Sequence, residues 1–147
     1  MTTLTGTFMQ AGVMNANGHI YDPKAMKAAF DEYKKKVDAG EAFGIISDAE
    51  RPTDTFDTKL SEISHRITEI NYDELTGKVF GKIQLYDTPR GNIAQKLIDT
   101  YGSLDIAPSS FGEIEDGKVV KVSQFNSFDI VKESAWPDAK VKPTTEE

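Results

Sequence analysis

Two stretches of the chain repeat apolar residues at the spacing of a helix. The first follows Asp22-Pro23, a pair typical of a helix start, and stops at Gly40. Its apolar face consists of Met26, Ala29, Phe30, Tyr33 and Val37. The second begins at Thr88-Pro89 and stops at Gly102, which suits the left-handed position after a helix. Its recurring apolar residues are Ile93, Ala94, Leu97, Ile98 and Tyr101. The sequence therefore predicts two helices.

Most of the remaining chain has the pattern of β-strands. Apolar and polar residues alternate from Ile63 to Thr68, and Lys78–Leu85 repeats the alternation after a turn. Further strands are predicted at Leu4–Met14, Ala42–Ser47, Leu104–Ile114, Val119–Val122 and Phe128–Val131. This pattern indicates a mainly β fold with helices (α+β). Because closure removes exposed strand edges, we expect a small closed or partly closed β-barrel with the two helices outside.

Length and composition indicate one domain. The chain has 147 residues, of which 38% are hydrophobic, and this is enough to bury one core. We expect residues 1–139 to form a single domain and residues 140–147 to form a polar C-terminal tail, since large apolar side chains become scarce there.

Charge and cysteine content exclude several classes of function. The formal net charge is −7, which argues against sequence-independent nucleic-acid binding because that requires clustered Lys and Arg. The chain has no cysteine, so a thiolate zinc site and a cysteine nucleophile are excluded. The N-terminus lacks the pattern of a signal peptide, and no apolar run approaches membrane-spanning length. We expect a protein made in the cytoplasm that binds neither nucleic acid nor membrane.

The two histidines, His19 and His65, do not have the spacing of a metal site, and we predict neither a metal nor another cofactor. His65 lies between Ile63 and Ile67 on one face of a predicted strand. Its default role is therefore a hydrogen-bonded residue of the core or of a barrel face. The functional alternative is a catalytic base or an orienting imidazole.

Ser109 and Ser110 lie at the small-residue centre of the strand Leu104–Ile114, where a proline predicts a kink. Such a centre can present a nucleophile. The surrounding residues lack the G-x-S-x-G elbow, however, and serines beside a proline are usually plain loop residues. The acidic loop over residues 48–58 lacks the rhythm and the glycine of a calcium-binding EF-hand. Chemistry alone therefore assigns no active site.

Four motifs, taken in order, resemble a known family. They are Asn15–Tyr21 followed by a helix, Ser64–Thr68, Gly81–Ile83 with Asp87–Asn92, and Phe128–Val131 with Ser134–Pro137 and Ala139. Together they resemble the prohead maturation proteases of tailed bacteriophages, whose fold is similar to that of the herpesvirus assemblin serine proteases. The resemblance covers the chain from about Gly12 to Ala139. It implies a barrel of this type and a role in a phage head.

The resemblance fails at two positions that matter for catalysis. The family usually carries Gly-Glu-Leu-Asp-His-Pro after the first helix, with the histidine as general base, and a gap-free alignment places Asp48 at that histidine. The family's nucleophile lies in a Ser-Ser-Arg-Gly run, which aligns with Ala107, Pro108, Ser109 and Ser110. A shifted alignment would instead make Ser109 or Ser110 the nucleophile and His65 the base.

The departures at Asp48 and Ala107 predict a degenerate, non-catalytic relative of these proteases. We interpret it as a structural protein of the virion that binds the capsid lattice as a cement or decoration protein. Its partners would be the major capsid protein and, on the lattice, further copies of itself. The alternatives are an active prohead maturation serine protease that cleaves capsid or scaffold precursors, and a scaffold-type assembly factor.

Two aromatic side chains are candidate anchors for such a partner. Phe56 is the large apolar residue of the acidic loop, and Trp136 precedes the polar C-terminal segment. Buried aromatic residues tend to dominate interface energies, so we predict that Phe56 and Trp136 contact neighbouring subunits. The alternative is that both rings pack onto their own barrel.

Overall fold

The computed structural model describes residues 2–47 and 62–144, apart from the side chain of Ser123. The helices are α1 (Pro23–Asp38) and α2 (Pro89–Tyr101). The strands are β1 (Thr3–Gln10), β2 (Ile20–Tyr21), β3 (Phe43–Ser47), β4 (Ile63–Tyr72), β5 (Lys78–Leu85), β6 (Leu104–Glu115), β7 (Lys118–Val131) and β8 (Lys140–Pro143).

The strands form a closed barrel. Their order is β7-β3-β4-β5-β1-β8-β6, and β6 pairs back onto β7 to close the ring. The short strand β2 joins the outer side of β7. β2 and β3 run parallel to β7, and the other pairs are antiparallel. The predicted small β-barrel with two helices is confirmed, and it is fully closed.

The β6–β7 hairpin is the longest strand pair of the barrel. β7 is one strand of 14 residues rather than the two short strands predicted from the sequence. It contains three register shifts against β6, and each inserts an extra residue into β7. Such bulges increase the twist and bend a strand, so β7 curves along the barrel without breaking. The predicted kink at Pro108 is wrong, because Pro108 pairs with Phe128 between two regular pairs.

Helix α1 begins where the sequence predicts. Asp22 accepts a hydrogen bond from the backbone N–H of Lys24, and Pro23 occupies the first turn. The buried face consists of the five predicted residues, Met26, Ala29, Phe30, Tyr33 and Val37. It packs mainly against β7, where the Tyr33 ring lies edge-on to Phe128 with the ring centroids 5.5 Å apart. The helix thus covers part of the barrel that includes β7.

Helix α2 also has the predicted ends, but it buries only part of the predicted apolar face, together with Gly91. Gly102 ends the helix in the left-handed conformation. Gly91 lies so close to the carbonyl groups of Tyr86 and Ser64 that a Cβ there would overlap the former. This close approach sets the contact face, which is formed by Gly91, Ala94 and Ile98. Two residues of the predicted apolar face, Ile93 and Tyr101, are consequently exposed.

The hydroxyl group of Thr88 joins α2 to the barrel. It accepts a hydrogen bond from the Gly91 N–H at 3.0 Å and donates one to the Ile63 carbonyl at 2.8 Å. We therefore expect Thr88→Ala to lower the free energy of unfolding by about 1 kcal/mol or slightly more. Thr100→Ala on the same helix serves as the control, since its hydroxyl donates only within the helix. Urea unfolding measures both, and equal effects would contradict the cap.

The end of the chain is more ordered than its composition suggests. Residues 140–143 were expected in a polar tail, but they form β8, which pairs with both β1 and β6. Val141 is completely buried in this strand. A single apolar residue is enough to place a short strand in the barrel because both of its edges find partners.

Candidate active site

Four residues of the β6–β7 hairpin share one face of the sheet. Ala107 is opposite Asp129, and Ser109 is opposite Ser127. Residues that are directly opposite in an antiparallel pair point to the same side, so the four side chains are neighbours. The alternating residues on β7, Phe128 and Ile130, belong to the hydrophobic core. Ala107 and Ser109 are half-buried, whereas Ser127 and Asp129 are buried.

The buried pair on β7 is joined by hydrogen bonds. The Ser127 hydroxyl donates to Asp129 Oδ1 at 2.8 Å, and the backbone N–H of Ile45 on β3 donates to the same oxygen at 3.2 Å. A buried carboxylate needs such donors to offset the loss of water. Its charge also acts on α1, since the pKa of Tyr33 is raised by burial and, secondarily, by the nearby Asp129.

Ser110 lies in a different environment from Ser109. It is opposite Phe125, a core residue, and its Oγ is 3.5 Å from the Tyr21 hydroxyl. The Tyr21 ring packs on Trp136 with the centroids 5.3 Å apart. The two candidate serines therefore belong to opposite faces of β6, and only Ser109 faces the buried carboxylate.

His65 is completely buried, and both of its ring nitrogens are engaged. Nε2 lies 2.8 Å from the Phe128 carbonyl, which can only accept, so Nε2 carries the proton. Nδ1 lies 2.7 Å from the Ser64 hydroxyl and is left to accept from it. Burial lowers the pKa of His65 to about 4, although the bond to Phe128 opposes the shift. The imidazole is therefore neutral near pH 7.

The structure does not bring His65 to the two candidate serines as a catalytic base. Two strands, β3 and β7, lie between β4 and β6 on the shorter path around the barrel. The imidazole spans β3 and ends at the backbone of β7. With both nitrogens bonded, it has the structural role that the alternating pattern around Ile63 and Ile67 indicates. The sequence left open a catalytic pair in which His65 is the base and Ser109 or Ser110 is the nucleophile. This geometry does not support that alternative.

The remaining candidates have different outcomes. Asp48 and Phe56 lie outside the described residues. Trp136 is 6% exposed and packs on Tyr21 within its own chain, which matches the alternative that the ring folds onto its barrel. A ring buried in this way has little surface left to anchor a partner.

Two kinds of feature are absent from the described part of the chain. Across residues 2–47 and 62–144, no three His, Asp or Glu side chains are grouped so that they would hold a metal ion. The same residues contain no helix with the length and apolar character needed to cross a membrane.

Sequence comparison gives the family. A family model described as prohead core protein serine protease matches residues 2–147. The chain belongs to this family. A search of curated proteins found no match. Among solved structures, the capsid assembly protease gp21 of bacteriophage T4 is similar, with a TM-score of 0.68 and 17% identity over 89% of this chain and 81% of that chain. This likeness confirms the prohead-protease fold.

The prediction that this prohead protease relative is non-catalytic is wrong. The family whose model spans the chain is one of serine proteases, and the solved structure with the same fold is a capsid assembly protease. The prediction relied on a gap-free alignment that placed Asp48 and Ala107 at the catalytic positions. Loss of a hydroxyl at residue 107 does not remove every hydroxyl from that face, because Ser109 follows two residues later on the same side of β6.

Sequence reasoning missed two residues of this face, Ser127 and Asp129. Asp129 was noticed only as part of the motif Phe128–Val131, and Ser127 was not noticed at all. A signal was present, since a serine and an aspartate two residues apart on a strand point to the same side.

Proposed function

We propose that this prohead protease family member is an active serine protease and that Ser109 is its nucleophile. The observation that carries the proposal is the position of Ser109. It is half-buried on the same face of β6 as Ala107, the residue aligned with the family's nucleophile, and both lie opposite the Ser127–Asp129 pair.

The strand geometry favours Ser109 over Ser110. Side chains alternate across a strand, so a shift of one residue moves a side chain to the other face, and a shift of two restores the face. A nucleophile at residue 109 instead of residue 107 therefore lies about 7 Å further along β6, on the same side of the strand. Ser110 faces Phe125 and Tyr21 instead.

The proposed nucleophile does not use His65 as its base. The ring nitrogens of His65 are bonded to Ser64 and Phe128, and the imidazole is fully buried. Serine attack requires removal of the hydroxyl proton by a base within hydrogen-bond reach, and the candidate for that base is Asp48, the residue aligned with the family's histidine. We therefore expect the activity to be insensitive to the titration of His65.

The proposed substrates are precursors of phage head proteins, namely the major capsid protein and the scaffold. Two observations support this class. The family is described as a prohead core serine protease, and the similar bacteriophage T4 protein is a capsid assembly protease. A protease of this kind acts in the immature head, so we place the protein with the capsid during assembly.

Covalent labelling tests the proposal directly. The wild-type protein is incubated with a serine-directed fluorophosphonate and digested, and the modified peptide is identified by mass spectrometry. In parallel, it is co-expressed with the head precursors of its phage. We expect one adduct, on Ser109, and shortened precursors.

The labelling experiment separates the parts of the proposal. An adduct on Ser110 or elsewhere would contradict Ser109 as nucleophile but not the protease activity. Unlabelled protein together with intact precursors would contradict the protease activity itself.

A further inference from the structure

We infer that Asp129 is a positioning residue that fixes the strand pair carrying the candidate nucleophile. The inference rests on the proposed function, because it concerns the reactivity of Ser109. Its basis is the junction between β3 and β7, where side chains take the place of backbone hydrogen bonds.

Within the described residues, the parallel pairing of β3 with β7 consists of two residue pairs. It includes Ile46 opposite Ile130 and Ser47 opposite Val131. At the preceding level, the backbone N–H of Ile45 donates to the Asp129 carboxylate at 3.2 Å. The Phe128 carbonyl, in turn, accepts from His65 Nε2 at 2.8 Å. At this level β7 is thus joined to β3 by the Asp129 carboxylate and to β4 by the His65 imidazole.

Gly44 leaves the space that this arrangement needs. A Cβ at Gly44 would overlap the His65 imidazole and the Phe128 carbonyl. The imidazole therefore passes directly over Gly44 and extends from β4 to the backbone of β7. Ser64, which is the extra residue of a bulge in β4, supplies the hydroxyl that bonds the other ring nitrogen. The motif containing Ser64 and His65 and the motif containing Phe128 and Asp129 meet at this point.

The Asp129 carboxylate also bonds to the residue that pairs with Ser109. The Ser127 hydroxyl donates to Asp129 Oδ1 at 2.8 Å, and Ser127 is the partner of Ser109 across the hairpin. One buried oxygen therefore connects the backbone of β3 with the β7 residue beside the candidate nucleophile. A shift of β7 at this level would carry β6 with it.

The hairpin needs such a restraint at this position. Immediately after the Ser109–Ser127 pair the register shifts, and Asn126 becomes an extra residue in β7. A bulge disrupts the local ladder, so the backbone bonds alone hold Ser109 less firmly than they would in a regular pair. Catalysis is sensitive to such placement, since a displacement of about 1 Å can reduce a rate by about 100-fold.

The test measures the rate of fluorophosphonate labelling of Ser109 together with thermal unfolding. Asp129→Ala removes the carboxylate and, with it, the hydrogen bonds from Ile45 and Ser127. Asp129→Asn keeps an amide oxygen that can accept from Ile45 and Ser127. Ser127→Ala removes only the link toward Ser109 and guards against the case in which Asp129→Ala does not fold. We expect about a 10-fold or larger loss of labelling rate for Asp129→Ala and Ser127→Ala, and less than about a 3-fold loss for Asp129→Asn.

Asp105→Ala is the matched control. Asp105 lies on the partner strand β6, and its carboxylate also joins distant segments, by accepting from the Ser134 N–H and pairing with Lys140. If Asp129 had a purely structural role, the labelling rate of Ser109 would fall in proportion to the melting temperature in every variant. We expect Asp105→Ala to lower the melting temperature while its labelling rate stays within about 2-fold of wild type.

The outcomes separate the positioning role from the protease activity. Labelled wild type with an unchanged rate in Ser127→Ala and Asp129→Ala overturns the role of Asp129 and leaves the protease intact. An equal loss in Asp105→Ala overturns it as well, because the effect would then be general destabilisation. Wild type that is not labelled overturns the protease activity and, with it, this role of Asp129.

Discussion

Ser109→Ala is expected to reduce cleavage of the head precursors by at least about 1,000-fold, to a level set by the remaining groups of the site. The substitution removes the hydroxyl of the proposed nucleophile, which lies on the face of β6 that Ala107 shares. It removes little else, because Ser109 is half-buried and the structure assigns its side chain no hydrogen bond of its own among the described residues. The free energy of unfolding should therefore stay within about 0.5 kcal/mol of wild type.

Ser110→Ala is the neighbouring control for this prediction. Ser110 is also half-buried, and its Oγ makes one long contact of 3.5 Å with the Tyr21 hydroxyl. Precursor cleavage followed on gels over time should remain within about 3-fold of wild type in this variant. If Ser110→Ala were inactive and Ser109→Ala active, the nucleophile would belong to the other face of the strand.

The helices of this protein are predictable from sequence because their signals are local. Asp22 and Thr88 cap the two helices, and Gly102 ends the second in the left-handed conformation. Their capping contacts lie within one turn of the chain and need no tertiary partner. The buried face of α2 is not predictable in this way, because it depends on the approach of Gly91 to the carbonyl of Tyr86. The spacing of apolar residues within the helix does not indicate that contact.

The β7 strand shows where the pattern of alternation fails. Each bulge adds one residue and reverses the alternation beyond it, so that Phe125 and Phe128 both lie in the core although they are three residues apart. The sequence pattern therefore indicates two short strands with a polar interval. The pairing partner on β6 decides that they are one strand, and that information lies elsewhere in the chain.

The candidate site was predictable in its location and not in its chemistry. The small-residue centre containing Ser109 was recognisable, and so was the strand position of His65. The hydrogen bond between Ile45 and Asp129 joins residues that are 84 positions apart, and it depends on the parallel junction of β3 and β7. The role of a buried carboxylate in such a junction follows from the closed barrel, so the sequence pattern alone could not give it.

The second large effect concerns stability and pH. His65 is neutral in the folded protein because burial lowers its pKa from 6.5 to about 4. An unfolded chain therefore binds a proton at His65 between these values, while the folded chain does not. The contribution of neutral His65 to the free energy of unfolding is fully present above pH 6.5, and it is lost progressively as the pH falls toward 4. On this basis the free energy of unfolding should be about 2 kcal/mol lower at pH 5 than at pH 7.5 from this residue alone.

Urea unfolding of wild type and His65→Gln at the two pH values isolates this contribution. Glutamine does not titrate, and its amide N–H can still donate to the Phe128 carbonyl, the partner of His65 Nε2. Carboxylates contribute equally to the pH dependence of wild type and of His65→Gln. The difference between the pH dependences of the two proteins therefore comes from His65. His19→Gln measures the share of the chain's other histidine. Wild type should lose about 2 kcal/mol more than His65→Gln. Parallel pH dependences would mean that His65 takes up its proton in the folded barrel, and burial would then not hold the imidazole neutral.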